Sequence, residues 1–337
     1  MDSITQAVLG AAVVEATAGR QLGNKAIYWG LFFGTLPDLD ILFYPWLDEL
    51  QRLGWHRGIS HSLLLMTLTA PLWGKLVCAI HQQRLSFRRA SVAVWVALFT
   101  HVLIDCFTVY GTQIFEPFSN YRVGFNNLFI IDPLFTVPMI LALLFVPWFR
   151  AEHPVRRRIN NAALCLSSLY VMWSFGAKAV ADHRIEASLA GQGIPHVRYQ
   201  SAPTPLNTIL WRALVETEDG YLIGYTSLLD TPPHDIRFER VPRNAELLGE
   251  AKDSPAAVAL RWFSQDYFGV TAHNGGFLFS DWRFGEVRDG TDKRAIFTWH
   301  LTKAGDAWTF RQVRLPGPNR SDMLPLLWRR IQGERVF

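Results

Sequence analysis

The chain has 337 residues, of which 50% are apolar and only 18% charged, with a formal net charge of +4 at pH 7. Soluble domains carry about a quarter charged residues, so the composition argues against an ordinary soluble protein, while the length suits two domains. The modest charge, with no basic stripe, excludes a nucleic-acid partner, and three cysteines in apolar surroundings (Cys78, Cys106 and Cys165) offer neither a disulfide framework nor a Cys-based zinc site.

In chain order, Asp2 stands where a signal peptide would carry basic residues, so no cleaved leader is expected. Residues 3–19 and 26–37 are short apolar runs separated by the break at Gly19–Gly23, with Glu15 inside the first. Neither reaches the ~20 residues of an ordinary span. They are expected to form a short helical hairpin packed on longer helices. Residues 41–55 mix Pro45, Asp48, Glu49 and Arg52 with Tyr44, Trp46 and Trp55, a composition suited to the membrane interface. Residues 62–80 are long enough to span, with Lys75 placed to snorkel. Residues 90–112 are apolar apart from His101 and Asp105, residues 133–149 carry no charge, and residues 159–177 form the last apolar stretch. This predicts four main spans and a short N-terminal hairpin. The arginine-rich connections at 81–89 and 150–158 should face the cytoplasm. Alternation then puts residue 2, residues 38–61, the loop 113–131 and everything after 182 on the outer side.

Residues 183–205 are polar with Gly and Pro and read as a linker. From 206 onward, alternating runs flank Asp219-Gly220, Asn274-Gly275-Gly276 and Ala304-Gly305-Asp306, which are hairpin signals. The expected fold is thus an integral-membrane all-α helical bundle over 1–182, a linker over 183–205, and an extracytoplasmic α+β domain over 206–337. In that domain His273 and Asp281 are a candidate site pair, with the bland reading that they are turn and rim residues.

The chemistry-bearing residues lie in or beside the apolar runs. His56-Arg57-Gly58-Ile59-Ser60-His61 precedes the first long span, and Gly58 allows a turn that brings both imidazoles together. His101 and Asp105 are four apart and share a helical face. Asp38 and Asp40 follow the second run, and Asp132 opens the fourth. The topology puts all of these at one level. An unpaired carboxylate or imidazole in an apolar layer is costly and marks function. The bland reading is that Asp38, Asp40 and Asp132 are helix caps, with Asp132-Pro133 a strong helix start, and that Arg57 snorkels at the interface. The functional reading makes Asp38, Asp40, His56, His61, His101, Asp105 and Asp132 candidate metal ligands. The nitrogen and oxygen donors suit Zn, Mn or Fe, as one ion or two. Asp40 and Asp105 are candidate proton acceptors and Arg57 an oxyanion clamp, pointing to water-dependent hydrolysis of a phosphoester, such as a lipid headgroup. No nucleophile elbow, Walker or dinucleotide glycine pattern is present. The rival class is a non-catalytic membrane scaffold or regulator that binds a protein partner.

Met1-Asp2-Ser3-Ile4-Thr5, Leu36-Pro37-Asp38-Leu39-Asp40, His56–Ser62, His101-Val102-Leu103-Ile104-Asp105, Tyr110-Gly111-Thr112, Pro117-Phe118-Ser119 and Asp132-Pro133 resemble, in order and type, the bacterial YdjM/DUF457 family of inner-membrane proteins. The resemblance covers roughly residues 1–180. It implies a multi-pass inner-membrane, metal-dependent hydrolase, distantly related to zinc-dependent phospholipase C. Members of that family commonly carry His where Gln6 stands. The departure implies either a lost ligand or an outer-shell role for Gln6.

Overall fold

A computed structural model describes residues 1–82, 84–233, 235–289, 292–313 and 320–336. The chain divides into two compact units. One comprises Met1–Trp46, Trp55–Phe175 and Pro205–Asn207, and the other Leu47–Gly54, Gly176–Thr204 and Thr208–Phe337.

The first unit is helical. Helix α1 (Ser3–Leu22) starts where the Asp2 carboxylate accepts the amides of Ile4 and Thr5, and α2 (Lys25–Thr35) returns against it. The two helices approach closely because only glycines fit between them. A Cβ on Gly10 would lie 2.3 Å from the Gly30 carbonyl oxygen, and one on Gly30 would lie 2.4 Å from Ala11 Cα. Small residues four apart, here Gly30 and Gly34, are the usual device for tight packing in lipid. Beyond α2 the chain continues as a 3-10 segment, Leu36–Trp46, and then α3 (Glu49–Trp55), most of which belongs to the second unit. A single 3-10 turn, Ile59–His61, leads into α4 (Leu63–Ile80), which Ser62 caps. Helix α5 (Phe87–Asp105) packs along α1 and α4, and α6 (Pro133–Phe145) packs on α1. Helix α7 (Pro154–Gly191) passes from the first unit into the second.

Buried Ala12, Val14, Phe33, Met66, Ala97 and Met139 belong to one apolar cluster. About 13 Å along α1 from Gln6, the Glu15 carboxylate is gripped by Arg156, through Nε at 2.6 Å and Nη2 at 2.7 Å. Arg156 also donates to Asn24 Oδ1 at 2.7 Å. A charge inside an apolar run is tolerated there because it is paired in both forks.

Among the described residues, four helical stretches are long and apolar enough to cross a membrane: Lys25–Trp46, Leu63–Ile80, Phe87–Asp105 and Pro154–Gly191. The number matches the expectation but the membership differs. Pro37 and the Asp pair end α2 as an α-helix without ending the helical path, so 25–46 reaches span length. The uncharged run at 133–148 is shorter than the others.

The second unit is α+β. Strands β1 (Arg198–Pro203), β2 (Leu210–Thr217), β3 (Gly220–Ser227) and β4 (Glu239–Pro242) form one antiparallel sheet in chain order. Helix α8 (Pro255–Phe263) precedes a second sheet, of β5 (Phe268–His273), β6 (Gly276–Asp289), β7 (Asp292–Ala304) and β8 (Ala307–Val313), and α9 (Arg320–Ile331) follows. The hairpins expected at Asp219-Gly220, Asn274-Gly275 and Gly305-Asp306 are present. Residues 183–205, expected as a linker, instead hold the last turns of α7 and strand β1. The polar residues there decorate a helix whose Ile185 and Leu189 are fully buried, and of the Gly and Pro signals only Gly193 and Pro195 fall in the turn between the two elements.

Candidate metal centre

Four of the singled-out side chains meet at one point. Asp38 comes from the 3-10 segment after α2, His61 from the turn before α4, and His101 and Asp105 from the last turns of α5. One ligand atom from each lies within 4.8 Å of all the others. The turn that delivers His61 is made at Arg57, whose φ is +58°, while Gly58 takes φ −90° and ψ −125°. A non-glycine residue in the left-handed region costs on the order of 1 kcal/mol or more. Surrounding bonds hold it there: the Arg57 amide donates to Asp40 Oδ2 at 3.2 Å, and its carbonyl accepts the Gln113 amide at 3.0 Å.

Proton accounting shows what the cluster wants. His101 Nδ1 is 2.7 Å from the Gly34 carbonyl oxygen, which can only accept, so Nδ1 carries the proton. Ser60 Oγ donates to Asp40 Oδ2 at 2.9 Å and therefore accepts from His61 Nδ1, also at 2.9 Å. Each ring thus turns an Nε2 lone pair to the centre, and the two Nε2 atoms are 3.2 Å apart. Asp38 Oδ1 lies 3.3 and 3.6 Å from the Nε2 atoms of His61 and His101, and Asp105 Oδ2 lies 3.3 and 3.7 Å from them. Neither of these carboxylate oxygens has a hydrogen-bond partner. Four acceptors therefore converge with no proton between them, which a cation resolves. Tetrahedral zinc bonded at about 2.0–2.1 Å spaces its ligand atoms by roughly 3.3 Å, close to most of these separations. The donor set fits a small divalent ion.

The back of the cluster is tied down. Asp105 Oδ1 takes Gln6 Nε2 at 2.9 Å, Arg57 Nη2 at 3.0 Å and the amino group of Met1, leaving Oδ2 for the centre. Arg57 Nη1 donates to Thr108 Oγ1 at 3.0 Å. The side chains of His61, His101 and Asp105 are fully buried, Asp38 is 18% exposed and the nearby His56 21%. Solvent therefore reaches the cluster from the side of Asp38 and His56.

The other candidates are placed outside the four-atom cluster. Asp40 Oδ1 is 2.9 Å from His56 Nδ1, so the two form a pair beside it, with Asp40 also supporting Ser60 and Arg57. Asp132 caps α6, accepting the amides of Leu134 and Phe135, and takes the Tyr170 hydroxyl at 2.9 Å. In the second unit, Asp281 is buried against Arg283 at 2.7 Å while His273 lies on the exposed end of β5, so they share no site. Gly34, Thr108 and Tyr110 enter the neighbourhood without having been singled out one by one. A backbone carbonyl leaves no trace in a sequence, and a Thr or Tyr in an apolar stretch is unremarkable.

The sequence matches the family described as YdjM inner membrane protein over residues 1–181. It is also similar to a protein of Bacillus subtilis (strain 168) described as uncharacterized protein YfhP, with 24% identity over 285 residues, covering 79% of this chain and 81% of that one. No solved structure matches. The family match takes in both histidines, both cluster aspartates and the helices that carry them. The buried cluster is able to coordinate a metal ion, as a metal-dependent hydrolase requires, and the helices are those of a multi-pass membrane protein. By the extent of that match, this chain belongs to the YdjM inner membrane protein family.

Proposed function

We propose that this protein hydrolyses a phosphoester, carried on a lipid headgroup, at a single divalent ion held by Asp38, His61, His101 and Asp105, with zinc the first choice and Mn or Fe the alternatives. The observation that carries the reading is the convergence of four unprotonated acceptors beside a buried arginine. When bound, the ion supplies Lewis acidity toward a phosphoryl oxygen and lowers the pKa of a water.

The chain's own residues do the rest. Ser60 and the Gly34 carbonyl fix the histidine tautomers, which keeps both Nε2 lone pairs on the centre. Arg57, anchored on Asp105 and Thr108, orients a non-bridging oxygen. Asp40 serves proton transfer through His56. It holds the Nδ1–H, so Nε2 at the half-open rim takes the proton from water and returns it to the leaving oxygen. Asp105 has both oxygens engaged and acts as ligand and anchor, and Asp132 supports the fold as a cap. Asp40 and His56 satisfy one another, which favours one ion over two.

Arginine-rich connections at 81–89 and 150–158 support a cytoplasmic position for that end, with the cluster and the C-terminal domain outside the cytoplasm. A headgroup then reaches the ion while its acyl chains stay in the outer leaflet. The test is headgroup release from a mixed phospholipid panel by the zinc-loaded full chain in detergent, with His61→Ala as control. Release that depends on His61 is expected. A zinc-loaded protein inert on lipids and on generic phosphoesters would sink the reading in favour of a non-catalytic scaffold.

A further inference from the structure

Tyr110 stands against two buried cations. The guanidinium carbon of Arg57 is 4.8 Å from the ring centre and that of Arg122 is 5.0 Å from it. Each arginine is only 3% exposed. The same ring meets the edge of His56 at 5.5 Å, so the group borders the open side of the metal-ligand cluster. Arg122 is held there by the backbone. Thr112 and Val123 exchange two hydrogen bonds of 3.0 Å, and Gly111, at φ +74°, leaves room where a Cβ would sit 2.9 Å from Arg122 Cβ.

Burying a guanidinium is expensive, and two of them against one ring concentrate positive charge beside the cluster. Arg57 is matched in part by Asp105 and Thr108, yet its buried Nε has no hydrogen-bond partner. A guanidinium fork matches the paired oxygens of a phosphate group and stacks on an aromatic face at the same time. An amide or a neutral carboxylic ester presents one uncharged carbonyl oxygen, and a second cation beside the cluster would have nothing to recognise in it.

We infer that Arg57, Tyr110 and Arg122 form a phosphate subsite beside the metal-ligand cluster, with Arg122 and Tyr110 as specificity-determining residues. The inference rests on the phosphoester-hydrolase reading and deepens it by naming the residues that would recognise the anionic phosphate. The phosphate can arrive on a membrane lipid or on a soluble ester, and the subsite chemistry is the same for both.

The test is calorimetric binding of inorganic phosphate to the zinc-loaded full chain in detergent, with zinc content and melting temperature recorded for every variant. Wild type should bind phosphate in preference to acetate. Arg122→Gln should weaken phosphate binding at least about tenfold, the scale of one charge-assisted hydrogen bond, while zinc content stays at the wild-type level. Arg122→Lys should recover only part, because an ammonium lacks the fork, and it keeps the test open should the neutral variant fail to fold. Tyr110→Phe should bind like wild type and Tyr110→Leu should not. Phosphate bound equally well by wild type, Arg122→Gln and Arg122→Lys would overturn the subsite. A wild type without zinc whose phosphate binding still depends on Arg122 would uphold the subsite while removing the hydrolase reading. Competition by vesicles containing phosphatidic acid and by glycerol phosphate separates the sources. Displacement by either supports the subsite, and displacement by neither overturns it.

Discussion

Removing the ion should loosen the helical unit by a measurable amount. Without a cation, two imidazole lone pairs face each other at 3.2 Å and two carboxylate oxygens face them at 3.3–3.7 Å, with the side chains of His61, His101 and Asp105 fully buried. Unfolding separates the four donors, so an ion that binds them binds only the folded form. At a thousandfold excess over its dissociation constant such an ion contributes about 4 kcal/mol. For a unit of roughly 150–250 residues each kcal/mol moves the melting temperature by about 2–4 °C, so stripping the ion should lower it by about 8–16 °C. The assay is melting of the full chain in detergent, with zinc at saturation or with a chelator, and elemental analysis of the same samples. His61→Ala removes one of four donors and should melt at the same temperature with or without chelator. Equal melting of zinc-loaded and stripped wild type would refute the argument, as would a His61→Ala protein that keeps the full shift.

Three further outcomes follow from other parts of the chain. Glu15→Ala leaves the Arg156 guanidinium buried without its carboxylate and should cost about 3–5 kcal/mol, whereas the double change Glu15→Leu with Arg156→Met should recover most of it, read as melting temperature. Ser60→Ala removes the acceptor that fixes the His61 tautomer and should lower zinc affinity about 10–100-fold with little change in melting of the stripped protein, measured by competition with a chromogenic chelator. In the α+β unit, burial alone would raise the Glu286 carboxyl, but the charge of Arg212, the Tyr225 hydroxyl and Lys293 hold it below its ordinary 4.5. The folded value is the lower one, so its stabilisation is present above pH 4.5 and is lost as pH falls below it. The melting temperature of Glu286→Gln should therefore be lower than wild type at pH 7, and the gap should narrow as pH falls below 4.5.

The residues most visible in the sequence were those whose chemistry is out of place. Asp38, His61, His101 and Asp105 interrupt or border apolar runs, and the spacing of His101 and Asp105 sets them on one helix face whatever the tertiary structure. Periodicity and loop charge likewise showed a helical first half and a hairpin-rich second half. What stayed hidden depends on partners distant in sequence. Asp40 and His56 look like ligands by type, and only the fold shows them bonded to each other beside Ser60. Asp132 is a cap by local signal alone, and Tyr170, 38 residues away, completes it. The span at 25–46 was obscured because Pro37 ends one kind of helix and permits another. Residues 183–205 resemble a linker because polar side chains on the outer face of a long helix look, in one dimension, like a loop.

Gln6 resolves the choice that the sequence left open. Its Nε2 donates to Asp105 Oδ1 at 2.9 Å, the oxygen turned away from the centre, while Oδ2 faces the histidines. A neutral donor in that position holds the ligand carboxylate in its orientation and adds no positive charge of its own. The same Nε2 comes within 3.4 Å of His101 Nε2, and the buried Oε1 has no hydrogen-bond partner, so the amide stands beside the space an ion would fill. A histidine at this point would present a fifth donor to the cluster. Glutamine supports the four that are there by holding Asp105, and the neighbouring Asp40 and His56 are bonded to one another.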